Sequence, residues 1–127
     1  MKILVIDSGG LHVDTARQLS LQSNEVFYFT PWVTAYPKSN PYLPGFGVEG
    51  LNKILDPGSH IDTADLIVFP DVGMGDWADQ LRRSGKKVFG AGLGEAMEQD
   101  RAHSIEVMEK IGVKYPKTYP TKGLTET

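Results

Sequence analysis

Four short apolar runs constrain this chain more than any other feature: Ile3 to Ile6, Val26 to Phe29, Leu66 to Phe69, and the shorter pair Val88-Phe89. Each is bounded by Gly, Pro or Asp, and helix-length segments separate them. Continuous β-branched and aromatic runs without polar alternation are what strands need when both faces of a parallel sheet are covered by helices. Between the runs, Leu11, Thr15, Ala16 and Leu19 share one helical face, as do Met74, Trp77, Ala78 and Leu81. Strand, helix and strand in succession make the βαβ unit, whose crossovers keep one hand. The pattern predicts an α/β fold, an open doubly wound (Rossmann-like) parallel sheet of about four or five strands.

The segment from Pro31 to Pro57 breaks this rhythm. It holds Pro31, Pro37, Pro41, Pro44 and Pro57, with Gly45, Gly47 and Gly50 and the aromatics Trp32, Tyr36, Tyr42 and Phe46 among them. Such proline density forbids a central strand or an unbroken helix, so a long packed excursion is expected, with one helical turn at Leu51 to Leu55.

Ligands of doubly wound sheets collect beyond the carboxyl ends of the strands, which directs attention to three glycine-bearing turns. Asp7-Ser8-Gly9-Gly10 follows the first run, Pro70-Asp71-Val72-Gly73-Met74-Gly75-Asp76 the third, and Gly90-Ala91-Gly92-Leu93-Gly94 the fourth. Glycines there let backbone N–H groups turn toward an anion such as phosphate. A tight turn capped by Ser8 or Asp7 is an equally good reading of the first. Ser8, Gly9, Gly10, Asp71 and Gly73 are therefore the expected substrate- or phosphate-binding residues on one rim, and Asp71 could bond a ribose or an amine. Asp76 is expected to cap a helix beginning at Trp77, and another helix is expected to begin near Glu95.

Composition narrows the function classes. The 13 Lys and Arg against 16 Asp and Glu give a formal charge of −3, with no long basic run, which argues against nucleic acid as a partner. The absence of cysteine excludes disulfides, thiolate metal sites and cysteine nucleophiles. His12, His60 and His103 lack metal-ligand spacing and acidic company in the sequence, so no metal site and no catalytic residue is expected. No apolar stretch reaches the roughly 18 residues that span a bilayer, so the expectation is a cytoplasmic protein with no membrane partner.

Several of these segments resemble ATP-grasp ligases, most of all phosphoribosylamine–glycine ligase. Lys2-Ile3-Leu4-Val5-Ile6-Asp7-Ser8-Gly9-Gly10 resembles that family's opening strand and glycine turn. Asp65-Leu66-Ile67-Val68-Phe69-Pro70-Asp71 is similar to its third strand, which typically ends in Gly-Pro-Glu, and Val88-Phe89-Gly90 to its Val-Phe-Gly-Pro. Glu98, Asp100-Arg101, Met108, Ile111-Gly112-Val113 and Thr118 resemble the linker helix that leads into the ATP-grasp body. The similarity excludes Pro31 to His60. It also departs at Leu11-His12-Val13, where the family continues Arg-Glu-His with a phosphate-binding arginine, and at Thr30-Pro31-Trp32, which replaces its second glycine turn.

The resemblance implies a pre-ATP-grasp α/β domain at 1–94, followed at 95–127 by a linker helix and the start of a segment leading to an ATP-grasp domain of the same parent chain. It implies carboxylate–amine ligation of a small-molecule substrate in purine biosynthesis, with ATP and Mg in the parent protein and Arg101 contacting ATP there. By itself the chain would be inactive. The polar end with Lys122, Gly123 and Thr125 reads as a linker. The alternative is a free-standing, non-catalytic Rossmann- or flavodoxin-like module for a small phosphate-bearing ligand.

Overall fold

The computed structural model describes residues 1–31 and 43–119. Trp32, Tyr36, Pro37, Pro41, Tyr42, Lys122, Gly123 and Thr125 lie outside the described residues. The chain divides into two compact units, Met1–Glu95 and Ala96–Thr127.

The first unit is built on an all-parallel five-stranded sheet: β1 (Lys2–Ile6), β2 (Glu25–Phe29), β3 (Leu51–Lys53), β4 (Leu66–Val68) and β5 (Val88–Phe89). The four apolar runs supply β1, β2, β4 and β5, as their composition predicts. Their order, β3-β2-β1-β4-β5, puts β1 at the centre, and the direction of winding reverses between β1 and β4. Helices α1 (Val13–Ser20), α2 (Gly58–Ile61) and α3 (Gly75–Arg83) connect the strands. Side chains alternate across the sheet, so Ile3 and Val5 join Val26, Tyr28 and Ala16 in one cluster, while Leu4 and Ile6 join Ile67, Phe69, Ala78 and Leu81 in another. Burial on both faces is what makes the continuous apolar reading of β1 correct.

Three expectations for this unit need correction. The helical turn expected at Leu51 to Leu55 is instead β3, an edge strand paired Val26 to Leu51 and Tyr28 to Lys53. Three ladder positions suffice once β2 offers a free edge, whatever the local proline density. The helix expected to start at Trp77 starts two residues earlier, at Gly75, and Asp76 lies in its first turn without capping it. Its end is held by Glu95, which accepts the N–H groups of Gly73 and Gly75, each at 2.9 Å. Finally, Phe89 is 68% exposed because β5 is an edge strand with an uncovered face.

In the second unit, α4 (Ala96–Gln99) stops at Asp100, and α5 (Arg101–Lys110) begins after it. The helix expected from near Glu95 is thus broken, because Asp100 adopts an extended conformation and its carboxylate caps α5, accepting the N–H of Ala102 at 2.9 Å and of His103 at 3.1 Å. No helix among the described residues is long and apolar enough to cross a membrane.

Candidate functional site

The site begins with the register of β1. Its pairing with β2 and β4 ends all three strands level, so Asp7, Thr30 and the Phe69 to Asp71 segment emerge at one edge. This is the crevice where the winding reverses, the place at which open α/β sheets bind ligands.

Asp7 is fully buried and organises the first turn. Its Oδ1 accepts the N–H of Gly9 at 3.2 Å and of Gly10 at 2.9 Å, and its Oδ2 accepts the N–H of His12 and the Tyr28 hydroxyl, both at 2.7 Å. Burial alone would raise the Asp7 carboxyl; the hydrogen bonds from the Tyr28 hydroxyl and the His12 backbone N–H outweigh it and hold the carboxyl below its ordinary value. The Tyr28 hydroxyl moves the opposite way, pushed up by burial and by its bond to the carboxylate.

A depressed carboxyl stabilises the fold above its unfolded value, about 3.9, and that stability is lost as pH falls through the lower folded value. Asp62 and Asp79 are also depressed, by Lys86 and by the Leu93 N–H with Arg82, so they share the same acid limb. We expect the urea midpoint to fall below about pH 4, and Tyr28→Phe to shrink that fall by removing one donor to Asp7. An unchanged acid limb in Tyr28→Phe would refute the assignment to Asp7.

Of the residues singled out in the sequence, Ser8, Gly9, Asp71 and Gly73 come together. The Ser8 hydroxyl donates to the Val72 carbonyl at 2.7 Å. A Cβ on Gly9 would stand 3.4 Å from Asp71 Oδ2, and one on Gly73 would stand 3.9 Å from Ser8. Gly10 turns the other way, where Pro44 packs against it. The anion cradle expected of these turns is filled from within. Asp7 takes the N–H groups of Gly9 and Gly10, and Glu95 takes that of Gly73. Arg101 belongs to the second unit, exposed at the start of α5, in a largely apolar groove of about 380 Å³ lined also by Ala102, Ile105, Thr118 and Tyr119.

What remains open at the rim is acceptor chemistry. Ligand atoms of Asp7, His12 and Asp71 lie within 4.8 Å of one another. The acidic company that His12 lacks in the sequence is therefore supplied by the fold, which brings Asp71 across from the end of β4. His12 Nδ1 is buried and is, among the described residues, the one such side-chain nitrogen or oxygen without a hydrogen-bond partner; it sits 3.5 Å from Asp7 Oδ1. In the Nε2–H tautomer that nitrogen is an acceptor. Asp71 uses Oδ1 for the Val72 N–H at 2.8 Å and turns Oδ2 toward the first turn. Asp7, already accepting four donors, has no lone pair to spare for a cation.

Sequence reasoning did not find His12, Tyr28 or Glu95 as parts of the rim. The Leu11-His12-Val13 triplet directly after the turn was the available signal for the first. Tyr28 and Glu95 act through contacts that no local pattern announces. No protein-family model matches the chain, and no curated protein matches its sequence.

Proposed function

We propose that the chain is the N-terminal substrate-binding domain of an ATP-dependent carboxylate–amine ligase resembling phosphoribosylamine–glycine ligase, and that its rim receives the amine. The observation that carries this reading is the pairing of the Asp71 carboxylate with the His12 ring, brought together where the winding reverses between β1 and β4. An ammonium or amine has the N–H donors that such a pair lacks, and a carboxylate beside it favours the charged form. In this reading the reactive partner, an acyl phosphate made from ATP, is formed by a separate ATP-grasp body.

The groove of α5 supports the ATP side of the proposal in part. Arg101 supplies a permanent cation, and a guanidinium grips phosphate oxygens through paired N–H groups. Among the described residues no carboxylate lines that groove. The alternative, a free-standing module for a phosphate-bearing ligand, draws little support from turns whose N–H groups already serve Asp7 and Glu95.

The amine reading is tested by titrating the chain with glycinamide while following backbone amide resonances. We expect saturable shifts centred on Asp71, His12 and Gly9, and at least about tenfold weaker binding in Asp71→Asn, which removes a charge-assisted bond without changing shape. Equal binding by Asp71→Asn, or no saturable response in the wild type, would remove the rim from the proposal.

A further inference from the structure

Lys53 ends β3, the strand that the proline-rich segment concealed, and it is half-buried at the same sheet edge as the rim. Its ammonium stands 5.4 Å from the centre of the Tyr28 ring and 5.7 Å from that of Phe29. No carboxylate among the described residues lies within ion-pair distance of it, in contrast to Lys86, which holds Asp62 at 2.7 Å. Ring faces attract an ammonium, but they do not replace the hydration or the contact anion that a partly buried charge gives up. The loop before β3 adds a wall here, since Gly45 lies so close on the Tyr28 ring that a Cβ would meet it at 2.5 Å.

We propose that Lys53 forms an anion subsite at the β2–β3 end of the rim, taking a phosphate or carboxylate group of the same ligand whose amine meets Asp71 and His12. The assignment rests on three features together: a cation with no carboxylate in contact among the described residues, a pair of aromatic faces that fix its position, and a place one strand removed from the Tyr28–Asp7 bond. The nearest acid acting on it, Asp7, is occupied by its own four donors and draws Lys53 only at longer range. Burial lowers the Lys53 ammonium from its ordinary value, and a bound anion would raise it again. A ligand with an amine at one end and an anion at the other would then lie across β1 and β2, oriented by charge at both ends.

Its place in a ligase rests on the function proposed above; the binding itself does not. The test is a titration of the chain with inorganic phosphate and, separately, with acetate, at low ionic strength, reading the Lys53 side-chain methylene signals. We expect a saturable shift with at least one anion and a rise in the Lys53 titration midpoint on saturation. Phosphate alone would identify a phosphate-bearing ligand; response to both would admit a carboxylate. Lys53→Met keeps the stem over the rings and should weaken binding at least about tenfold, Lys53→Arg should restore most of it, and Lys86→Met should leave it intact. No saturable response of wild-type Lys53 to either anion, or unchanged binding in Lys53→Met, overturns the subsite. Phosphate binding without glycinamide binding would remove the amine reading and leave the subsite standing, while the reverse would remove only the subsite.

Discussion

Replacing Asp7 by Ala is expected to remove about 4 kcal/mol of folding stability, roughly a quarter or more of what a domain of this size commonly has. The magnitude follows from what the carboxylate holds. Three backbone N–H groups and the Tyr28 hydroxyl converge on it, and the Ala variant leaves all four without an acceptor. Each unsatisfied buried donor costs about 1–3 kcal/mol, partly relieved where water can enter the turn. Chemical denaturation should give this loss at unchanged slope, with a melting point lower by about 15 °C or more. Tyr28→Phe removes one donor and leaves the other three bonds in place, so its cost should be about 1 kcal/mol. In the double variant the two losses should fall short of their sum, because the shared bond can be lost only once. An Asp7→Ala protein within about 1 kcal/mol of wild type would refute the view that this carboxylate builds the turn.

The same carboxylate decides between the two readings that the sequence leaves open for the turn, an Asp7-capped turn and an anion cradle, whereas the strand before it is legible outright. The strand is legible because burial on both faces demands apolar side chains at every position from Ile3 to Ile6, and only composition is needed to see it. The turn reads as an anion cradle because Gly9 and Gly10 do present their N–H groups to an anion. That anion is the chain's own Asp7, two residues upstream. Nothing local distinguishes a cradle awaiting phosphate from one already filled. Gly73 and Gly75 repeat the case with Glu95, an acceptor supplied from twenty residues further along. Edges are the other source of error. β3 has only Leu51, Asn52 and Lys53 in its ladder, with no apolar run to betray it, and its existence follows from the free edge of β2. Rim residues contributed from separate strands, such as His12 and Asp71, become a pair only when topology sets β1 beside β4.

Gly90→Ala is expected to be as damaging as the loss of Asp7, for a different reason, and it tests whether the turn after β5 is fixed by close approach or only by local conformation. Gly90 has φ of +134°, a region that side-chain-bearing residues rarely adopt, and a Cβ there would run into the Phe69 carbonyl oxygen and come within 2.8 Å of the Phe69 Cβ. The carbonyl belongs to the backbone at the end of β4, where the Phe69 N–H is bonded to Phe89 O at 2.8 Å, so relieving the clash by moving that backbone disturbs the β4–β5 pairing. The turn is held on its other side as well. Arg82 donates to the Gly90 carbonyl at 2.5 Å and to Asp79 at 2.6 Å, and Asp79 accepts the Leu93 N–H at 2.9 Å. Strained backbone costs about 1–3 kcal/mol, and displacing a packed strand end adds to it, so a total of about 3–5 kcal/mol is expected. Gly85→Ala provides the contrast. That residue also has positive φ, at +85°, but nothing lies within 4 Å of the added carbon, so its cost should be the conformational share alone, about 1 kcal/mol. Because the turn carries Glu95 to Gly73 and Gly75, Gly90→Ala should also accelerate hydrogen exchange at those two amides while leaving Gly10 protected by Asp7. Equal losses in the two variants would mean that the approach of β4 is not what holds Gly90, and unchanged exchange at Gly73 and Gly75 would uncouple the β5 turn from the rim.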